Sequence, residues 1–323
     1  MKDPHPLPPG NGKPPGTTSW RGSITRAGDE MQSYYGRPVI KEPVWKPQIP
    51  WYFFSGGLAG GSSVLALVAR LAGNKTLAKR AMYVGAAADL VNPVLLISDL
   101  GRPERFLNMF RVFKVTSPMS VGSWILGISG AASSTGAFLD ATGRLRPIRR
   151  LAELVAAASG GPLAVYTATL ISDTAVPVWH EARKELPFLF GASAAASAGA
   201  AGAVLVPPAE AGPARRLAVG GALVENAVML AMERRLGFLG EPYHEEEAGR
   251  YAKLAKACTL GGAALLAAAG RKSRPGAIAG GAIVLAGETA LRWSVFKAGF
   301  QSARDPKYTV SPQRERARTP DTG

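Results

Sequence analysis

The feature that most constrains this chain is a series of apolar segments of membrane length, separated by polar loops. A helix needs about 20 predominantly apolar residues to cross the hydrocarbon core of a bilayer. Ala, Gly, Leu and Val dominate the segments, which lack the period-2 alternation of transmembrane β-strands. The sequence therefore predicts eight transmembrane helices, at residues 51–72, 79–98, 119–140, 151–172, 187–206, 215–236, 253–270 and 275–297.

Small residues inside these segments predict how the helices associate. Stretches such as "SGGLAGGSSVLALVA" and "GAIAGGAIVLAGETA" are rich in Gly and Ala. Because small residues let helix backbones approach closely, they favour tight packing where lipid supplies no hydrophobic drive. We expect an all-α integral membrane protein, a tightly packed bundle of two four-helix halves without a wide aqueous pore.

The even number of spans predicts that both termini lie on one side of the membrane, here called the N-side. Loops 99–118, 173–186 and 237–252 share that side. Lys and Arg are more frequent there than in the short opposite loops, which favours a cytoplasmic N-side and cytoplasmic tails. The chain divides into a polar, Pro- and Gly-rich arm (1–49), partly extended or disordered, a transmembrane domain (50–297) and a polar tail (298–323).

Composition argues against several other classes of protein. The net charge of +15 comes mainly from the tails and the span boundaries, which fits lipid headgroups or an acidic partner better than nucleic acid. The single cysteine, Cys258, cannot form an internal disulfide or hold an iron–sulfur cluster alone. His5, His180 and His244 lie outside the uninterrupted apolar blocks, which argues against a bis-histidine haem within the bilayer.

A charged group inside a span is costly and is therefore a functional candidate, and three carboxylic acids inside the predicted spans stand out. These are Asp89, Glu225 and Glu288. Asp89 and Glu225 have no basic residue nearby in their own spans, which favours a protonatable role. Glu288 has two interpretations, since Arg292 follows one turn later and an i,i+4 ion pair would neutralise both residues.

Topology brings a second set of polar and aromatic residues to the N-side end of the first four spans. A quinone site needs an aromatic, apolar slot, hydrogen-bonding groups for the two carbonyls and a nearby acid for protons. The alternative to a quinone site is that the aromatic residues form an interfacial belt and the arginines contact lipid headgroups. His180, in a predicted loop, is either a proton relay or simply solvated. The candidates are Trp51, Tyr52, Asp99, Arg102, Arg105, Ser117, Ser120, Tyr166 and Asp173.

Several motifs resemble the NrfD/PsrC family, the polysulfide-reductase-type membrane subunits. They are "DLGRPERF" followed by "TSPMSVGSW", "PWYFFSGGLAGGSSVLA" at the first span, and "YTATLISDTAVPVWHEARKELPFLFGAS" across the fourth and fifth spans. The resemblance covers residues 45 to 297 approximately and is strongest in the first five spans. One departure is Ala168, which stands where the family pattern has glycine.

The resemblance implies a subunit of the bacterial or archaeal cell membrane that binds menaquinone or ubiquinone. It also implies a ferredoxin-like iron–sulfur partner subunit, usually connected to a molybdenum or tungsten catalytic subunit or to a cytochrome. No haem or cluster is implied in this chain. Carried over by position, the site includes Trp51, Tyr52, Asp99, Arg102 and Tyr166.

These observations predict a quinone-reactive subunit of a multisubunit oxidoreductase. Asp99 or Asp173 would handle protons, and Arg102 would hold a carbonyl or fix the acid. Asp89, Glu225 and Glu288 would form a proton path. Two alternatives remain: an ion-coupled secondary transporter, which favours inverted repeats with broken helices, and a passive membrane anchor without quinone chemistry.

Overall fold

The computed structural model describes residues 39–318, and it describes side chains as far as residue 313. This part of the chain is helical and contains no strand. The α-helices are α1 (Gln48–Leu71), α2 (Lys75–Asp99), α3 (Pro118–Thr142), α4 (Arg146–Ser172), α5 (Pro177–Glu181), α6 (Leu186–Leu205), α7 (Gly212–Leu236), α8 (Glu246–Ala268), α9 (Arg274–Arg304) and α10 (Lys307–Arg318). Short 3₁₀ segments occupy Pro103–Phe110, Ala182–Lys184 and Gly237–Tyr243.

Each predicted span corresponds to one of the long helices, but several helices extend beyond their apolar segments. α8 begins at Glu246 rather than at 253, because Glu246 and Glu247 supply the acidic first turn that a helix N-terminus favours. α9 continues to Arg304 rather than ending at 297, and α10 lies within the predicted polar tail. Hydropathy marks the apolar part of a helix, whereas hydrogen bonding and capping set its ends.

Four of the long helices are long and apolar enough to cross a membrane: α1, α2, α4 and α6. Within the described part of the chain, α3, α7, α8 and α9 do not meet the same combined test of length and composition. Eight crossings, the side on which the termini lie and the domain limits remain predictions. Residues 1–38 of the predicted arm and 319–323 of the tail lie outside the described residues.

The long helices form two groups, α1–α4 and α6–α9. Within the first group α1 packs on α2 and α4, and α3 packs on both α2 and α4. Within the second, α6 packs on α7 and α9, and α8 packs on α7 and α9. Helix α1 joins the groups, since it also contacts α6 and α9.

Glycines set the closest approach between α1 and α4. A Cβ atom built on Gly60 would lie 2.2 Å from the carbonyl oxygen of Gly160, and one on Gly160 would lie 2.7 Å from the carbonyl oxygen of Gly60. The two backbones are therefore in direct contact, the arrangement that small residues permit in a membrane bundle. This contact fixes the spacing of α1 and α4, two of the four helices that line the candidate site.

Candidate functional site

A small cavity lies at one end of the first helix group, where α1 and α3 begin and α2 and α4 end. Its volume is about 90 Å³, and apolar atoms form most of its wall. Trp45 and Met109 enclose it from outside the long helices. The polar side chains in the lining are those of Tyr52, Asp99, Ser123 and Tyr166.

Two tyrosines form one side of this cavity. Their rings meet edge to face, with centroids 6.4 Å apart and an interplanar angle of 65°. Tyr52 is 1% exposed, and its hydroxyl oxygen has no hydrogen-bond partner among the residues the structure describes. A buried hydroxyl without a partner is unfavourable by about 1–3 kcal/mol, so this group is available to a ligand that enters the cavity.

The position of Tyr166 depends on a glycine of the neighbouring helix. A Cβ atom on Gly122 would lie 2.1 Å from a ring carbon of Tyr166. The ring therefore occupies space that any larger residue at position 122 would fill.

Asp99, the last residue of α2, anchors the segment that precedes α1. Its Oδ1 accepts a hydrogen bond of 2.9 Å from the backbone N–H of Lys46. At the other end of that segment, Glu42 and Arg304 form an ion pair at 2.6 Å. Residues 42–47, here called the strap, thus run between the ends of α9 and α2.

Trp45 is the strap residue that reaches the cavity. Its ring stacks on Trp179 with centroids 5.6 Å apart, and Trp179 is fully buried and donates a 2.8 Å hydrogen bond to the Val295 carbonyl. This aromatic pair holds the strap against α5 and α9, so that it closes one side of the cavity.

Six of the predicted site residues do not line the cavity. Trp51 is 47% exposed and packs edge to face on Trp293, at 6.5 Å between centroids. The Ser117 hydroxyl caps α3 by accepting the Ser120 backbone N–H at 3.4 Å. The remaining three residues are exposed near the same end of the bundle: Arg102, Arg105 and Asp173.

Several cavity residues were missed by sequence reasoning, among them Trp45, Met109 and Ser123. The only usable signal for Ser123 is its position next to Gly122 near the start of α3. Trp45 lies in a strap too short to show an apolar periodicity, and Met109 lies in a 3₁₀ segment within the loop predicted at 99–118, where no inward-facing residue was expected.

The buried acid Asp89 lies near the middle of α2 and accepts hydrogen bonds from α3. Ser129 and Ser133 donate to its Oδ2 at 3.0 and 2.7 Å. Its Oδ1 has no hydrogen-bond partner within the described residues. Asn92, one turn along α2, accepts a hydrogen bond from Ser55 of α1. These contacts form a polar layer in the first helix group below the cavity.

Glu225 and Glu288 belong to the second helix group and face one another between α7 and α9. Ser193 of α6 donates a hydrogen bond to Glu288 Oε2. Arg292 does not form, in the described structure, the i,i+4 ion pair that was one of the two interpretations of Glu288: its guanidinium lies 3.7 Å from the Phe190 ring centroid and donates to the Phe190 carbonyl at 3.2 Å. Asp89 therefore belongs to a different network from the two glutamates.

No group of three or more His, Cys, Asp or Glu side chains that could hold a metal ion occurs in the part of the chain with described structure.

The fold and the cavity define a helical membrane protein with an aromatic-lined pocket at one end of a four-helix group. The chain belongs to the NrfD family, since the family described as Polysulphide reductase, NrfD matches residues 39–239. No curated protein matches the chain. Membership identifies the chain as a membrane subunit of an oxidoreductase complex with quinone interaction, and members of the family typically associate with iron–sulfur and catalytic subunits.

The matched region runs from the strap through α7. It includes the whole cavity, Asp89 and Glu225, but it ends before α8 and α9, which carry Glu288 and Arg292.

Proposed function

We propose that this chain binds menaquinone or ubiquinone in the cavity and exchanges electrons between that quinone and a ferredoxin-like iron–sulfur subunit docked at the strap end. The partner would connect to a molybdenum or tungsten catalytic subunit. The observation that carries the proposal is the unpartnered Tyr52 hydroxyl, buried in an aromatic cavity at the end of the helix group.

The lining residues fit a quinone head group. Leu96, Phe53 and the Tyr166 ring supply apolar surface for a ring, while the Tyr52 hydroxyl supplies a hydrogen-bond donor. Binding sites of this kind combine a mostly apolar wall with a few placed polar groups. A bound quinone would supply two-electron, two-proton redox chemistry, so an acid within reach is also needed.

Asp99 is the acid that we assign to this role. Its carboxyl group lines the cavity and also accepts the Lys46 N–H, so it can hold or release a proton next to the strap. Arg102, Arg105 and Asp173 are exposed at the same end. We assign these three residues to the partner surface and to lipid headgroups rather than to the quinone.

Asp89 is proposed to extend a proton path inward from the cavity. It is buried, it is hydrogen-bonded to two serines of α3, and one of its carboxyl oxygens is free of described partners. Intramembrane acids in polar networks commonly mark proton relays.

We also propose that the protein resides in a bacterial or archaeal cell membrane with both tails in the cytoplasm.

Replacing Tyr52 by phenylalanine is expected to weaken quinone binding about tenfold, because it removes one hydrogen-bond donor and keeps the ring. Quinone affinity is measured on the purified complex, by titration after lipid extraction. Tyr83→Phe is the matched control, since the Tyr83 hydroxyl bonds Asp140, outside the cavity. Equal quinone affinity in Tyr52→Phe and the parent would mean that Tyr52 is not part of the site. A parent complex without quinone-dependent turnover would support the alternative of a passive membrane anchor.

Replacing Gly122 by alanine is expected to lower quinone affinity about tenfold or more, since overpacking of this kind amounts to about 1–3 kcal/mol and the added Cβ would overlap the Tyr166 ring. Gly130→Ala, on the same helix, is the control, because a Cβ there meets no other atom within 4 Å. Quinone titration of both variants compares them directly. If Gly122→Ala binds quinone as Gly130→Ala does, the position of the Tyr166 ring is irrelevant to binding.

A further inference from the structure

A second buried polar site lies in the α6–α9 group. Glu225, Glu288 and Arg292 are 2%, 0% and 1% exposed, and their side chains converge between α6, α7 and α9. Four of their polar atoms have no hydrogen-bond partner among the described residues: Glu225 Oε2, Glu288 Oε1, Arg292 Nε and Arg292 Nη1. Glu225 and Glu288 are called the acid pair below.

The charges of this cluster do not balance. Two ionised carboxylates and one guanidinium would leave a net negative charge in a low-dielectric interior, where an unpaired charge is strongly unfavourable. The neighbouring elements do not compensate it within the cluster: α6 contributes the Ser193 hydroxyl and α1 contributes Gly57. Lys256 of α8 lines the same cavity as Glu225 but is exposed. One bound proton, shared by carboxyl groups that face each other, makes the cluster neutral.

A cavity leads from the acid pair toward the strap end. It has a volume of about 50 Å³ and is lined by Glu225, Asn226, Glu233 and Lys256. This volume holds more than one water molecule, and a buried water needs polar partners such as these. Glu233 follows Glu225 by two helical turns, about 12 Å along α7.

The outer end of the cavity lies near the end of α7, at the same end of the bundle as the strap. Glu233 lies 3.8 Å from His244, and the segment Gly237–Tyr243 that follows α7 contacts α9. Lys307, which follows α9, pairs with Glu241 of this segment at 3.0 Å. Glu233, His244 and Lys256 are therefore the titratable groups between the acid pair and the surface.

We propose that the acid pair holds one exchangeable proton, which enters from the strap end through the cavity between α7 and α8. The step moves only a proton. It enters from bulk water at the surface and passes through hydrogen-bonded cavity water, each water molecule taking up one proton as it gives one away, to a carboxylate oxygen of Glu225 and then to Glu288. Arg292 balances the charge that remains. No electron is transferred. The link of this proton to quinone turnover rests on the proposed function, whereas the proton site itself does not.

The two sites are physically connected. The Arg292 guanidinium stacks on Phe190, and the Phe190 ring lies 6.0 Å from the ring of Phe53, which lines the quinone cavity. These contacts join the two sites through two aromatic rings. We expect Glu288→Gln to reduce the number of protons taken up per quinone turnover while quinone affinity stays at the parental value.

Infrared difference spectroscopy of the full-length chain, without quinone, tests the proton site. The parent is expected to show the carbonyl stretch of a protonated carboxyl group, and Glu225→Gln and Glu288→Gln are expected to reduce or abolish it. Glu225→Asp and Glu288→Asp shift its frequency and cover the case in which a glutamine variant does not fold. Glu210→Gln, an exposed glutamate outside the site, is the control and leaves the band unchanged.

The route is tested by the rate at which that band shifts in heavy water. Ala252→Leu fills the cavity from α8 and is expected to slow the exchange, whereas Ala257→Leu, exposed on the same helix, leaves it unchanged. A band that is identical in the parent, both glutamine variants and both aspartate variants overturns the proton site. Exchange equally fast in both leucine variants overturns the route. A parent complex that shows the band but has no quinone-dependent turnover instead contradicts the proposed function.

Discussion

Asp99→Asn is expected to lower quinone-linked turnover about 10²-fold while the strap stays in place. The asparagine side-chain oxygen can still accept the Lys46 N–H, but the amide cannot act as a general acid or base. Such groups typically contribute 10²–10⁴-fold to the rate. Turnover is measured on the purified complex with a soluble quinone analogue. Tryptophan fluorescence follows the stacking of Trp45 on Trp179 in the same samples.

Asp99→Ala separates the two roles of this residue. It removes the acceptor as well as the acid, so both turnover and the Trp45 fluorescence signal are expected to change. Parental turnover in Asp99→Asn would mean that Asp99 only anchors the strap, and the proton role would then pass to another group. A fluorescence change already present in Asp99→Asn would show that the strap needs a charged acceptor.

Gly60→Ala is expected to destabilise the protein by about 3 kcal/mol, the upper range for overpacking, because the new Cβ would lie 2.2 Å from the Gly160 carbonyl oxygen. Backbone atoms cannot rotate away as a side chain can, so α1 and α4 would have to separate. The thermal unfolding midpoint of the purified protein in detergent measures the effect.

Gly161→Ala is the matched control for this packing test. Gly161 neighbours Gly160 on α4, but a Cβ at this position meets no other atom within 4 Å. We expect its unfolding midpoint to equal that of the parent or exceed it slightly, since alanine favours helix more than glycine does. Equal midpoints for Gly60→Ala and the control would mean that the α1–α4 contact is not required for stability.

The positions of the long helices could be predicted because apolar segments of membrane length have few other stable conformations. Their ends could not be predicted equally well. The first turn of α8 contains Glu246 and Glu247. Hydropathy assigns such charged residues to a loop, whereas acidic residues in fact favour a helix N-terminus.

Part of the candidate site followed from topology alone. Antiparallel succession of α1 to α4 brings the start of α1 and the ends of α2 and α4 together, and Tyr52, Asp99 and Tyr166 do line one cavity. Topology does not predict which of two adjacent residues on a helix faces the cavity. Trp51 and Tyr52 lie about 100° apart around one helix, and only the packing of α1 turns Tyr52 inward and leaves Trp51 exposed.

The interactions of Arg292 likewise depend on the tertiary structure and not on local sequence spacing. Its spacing from Glu288 permits an i,i+4 ion pair, whereas the folded chain stacks its guanidinium on Phe190, more than 100 positions earlier in the sequence. A contact of this kind depends on how α6 and α9 meet, which no local pattern records.

By itself, the sequence determined that this protein is a helical membrane protein of the NrfD family. The order of its helices also predicted that the aromatic and acidic motifs lie at one end of the first four helices. Only the tertiary structure decided which side chains line the cavity, how the strap closes it through Asp99 and Trp45, and that Asp89 is separate from the acid pair. The physical reason is that apolar length and chain order fix where helices lie, whereas helix rotation and long-range contacts fix what their side chains touch.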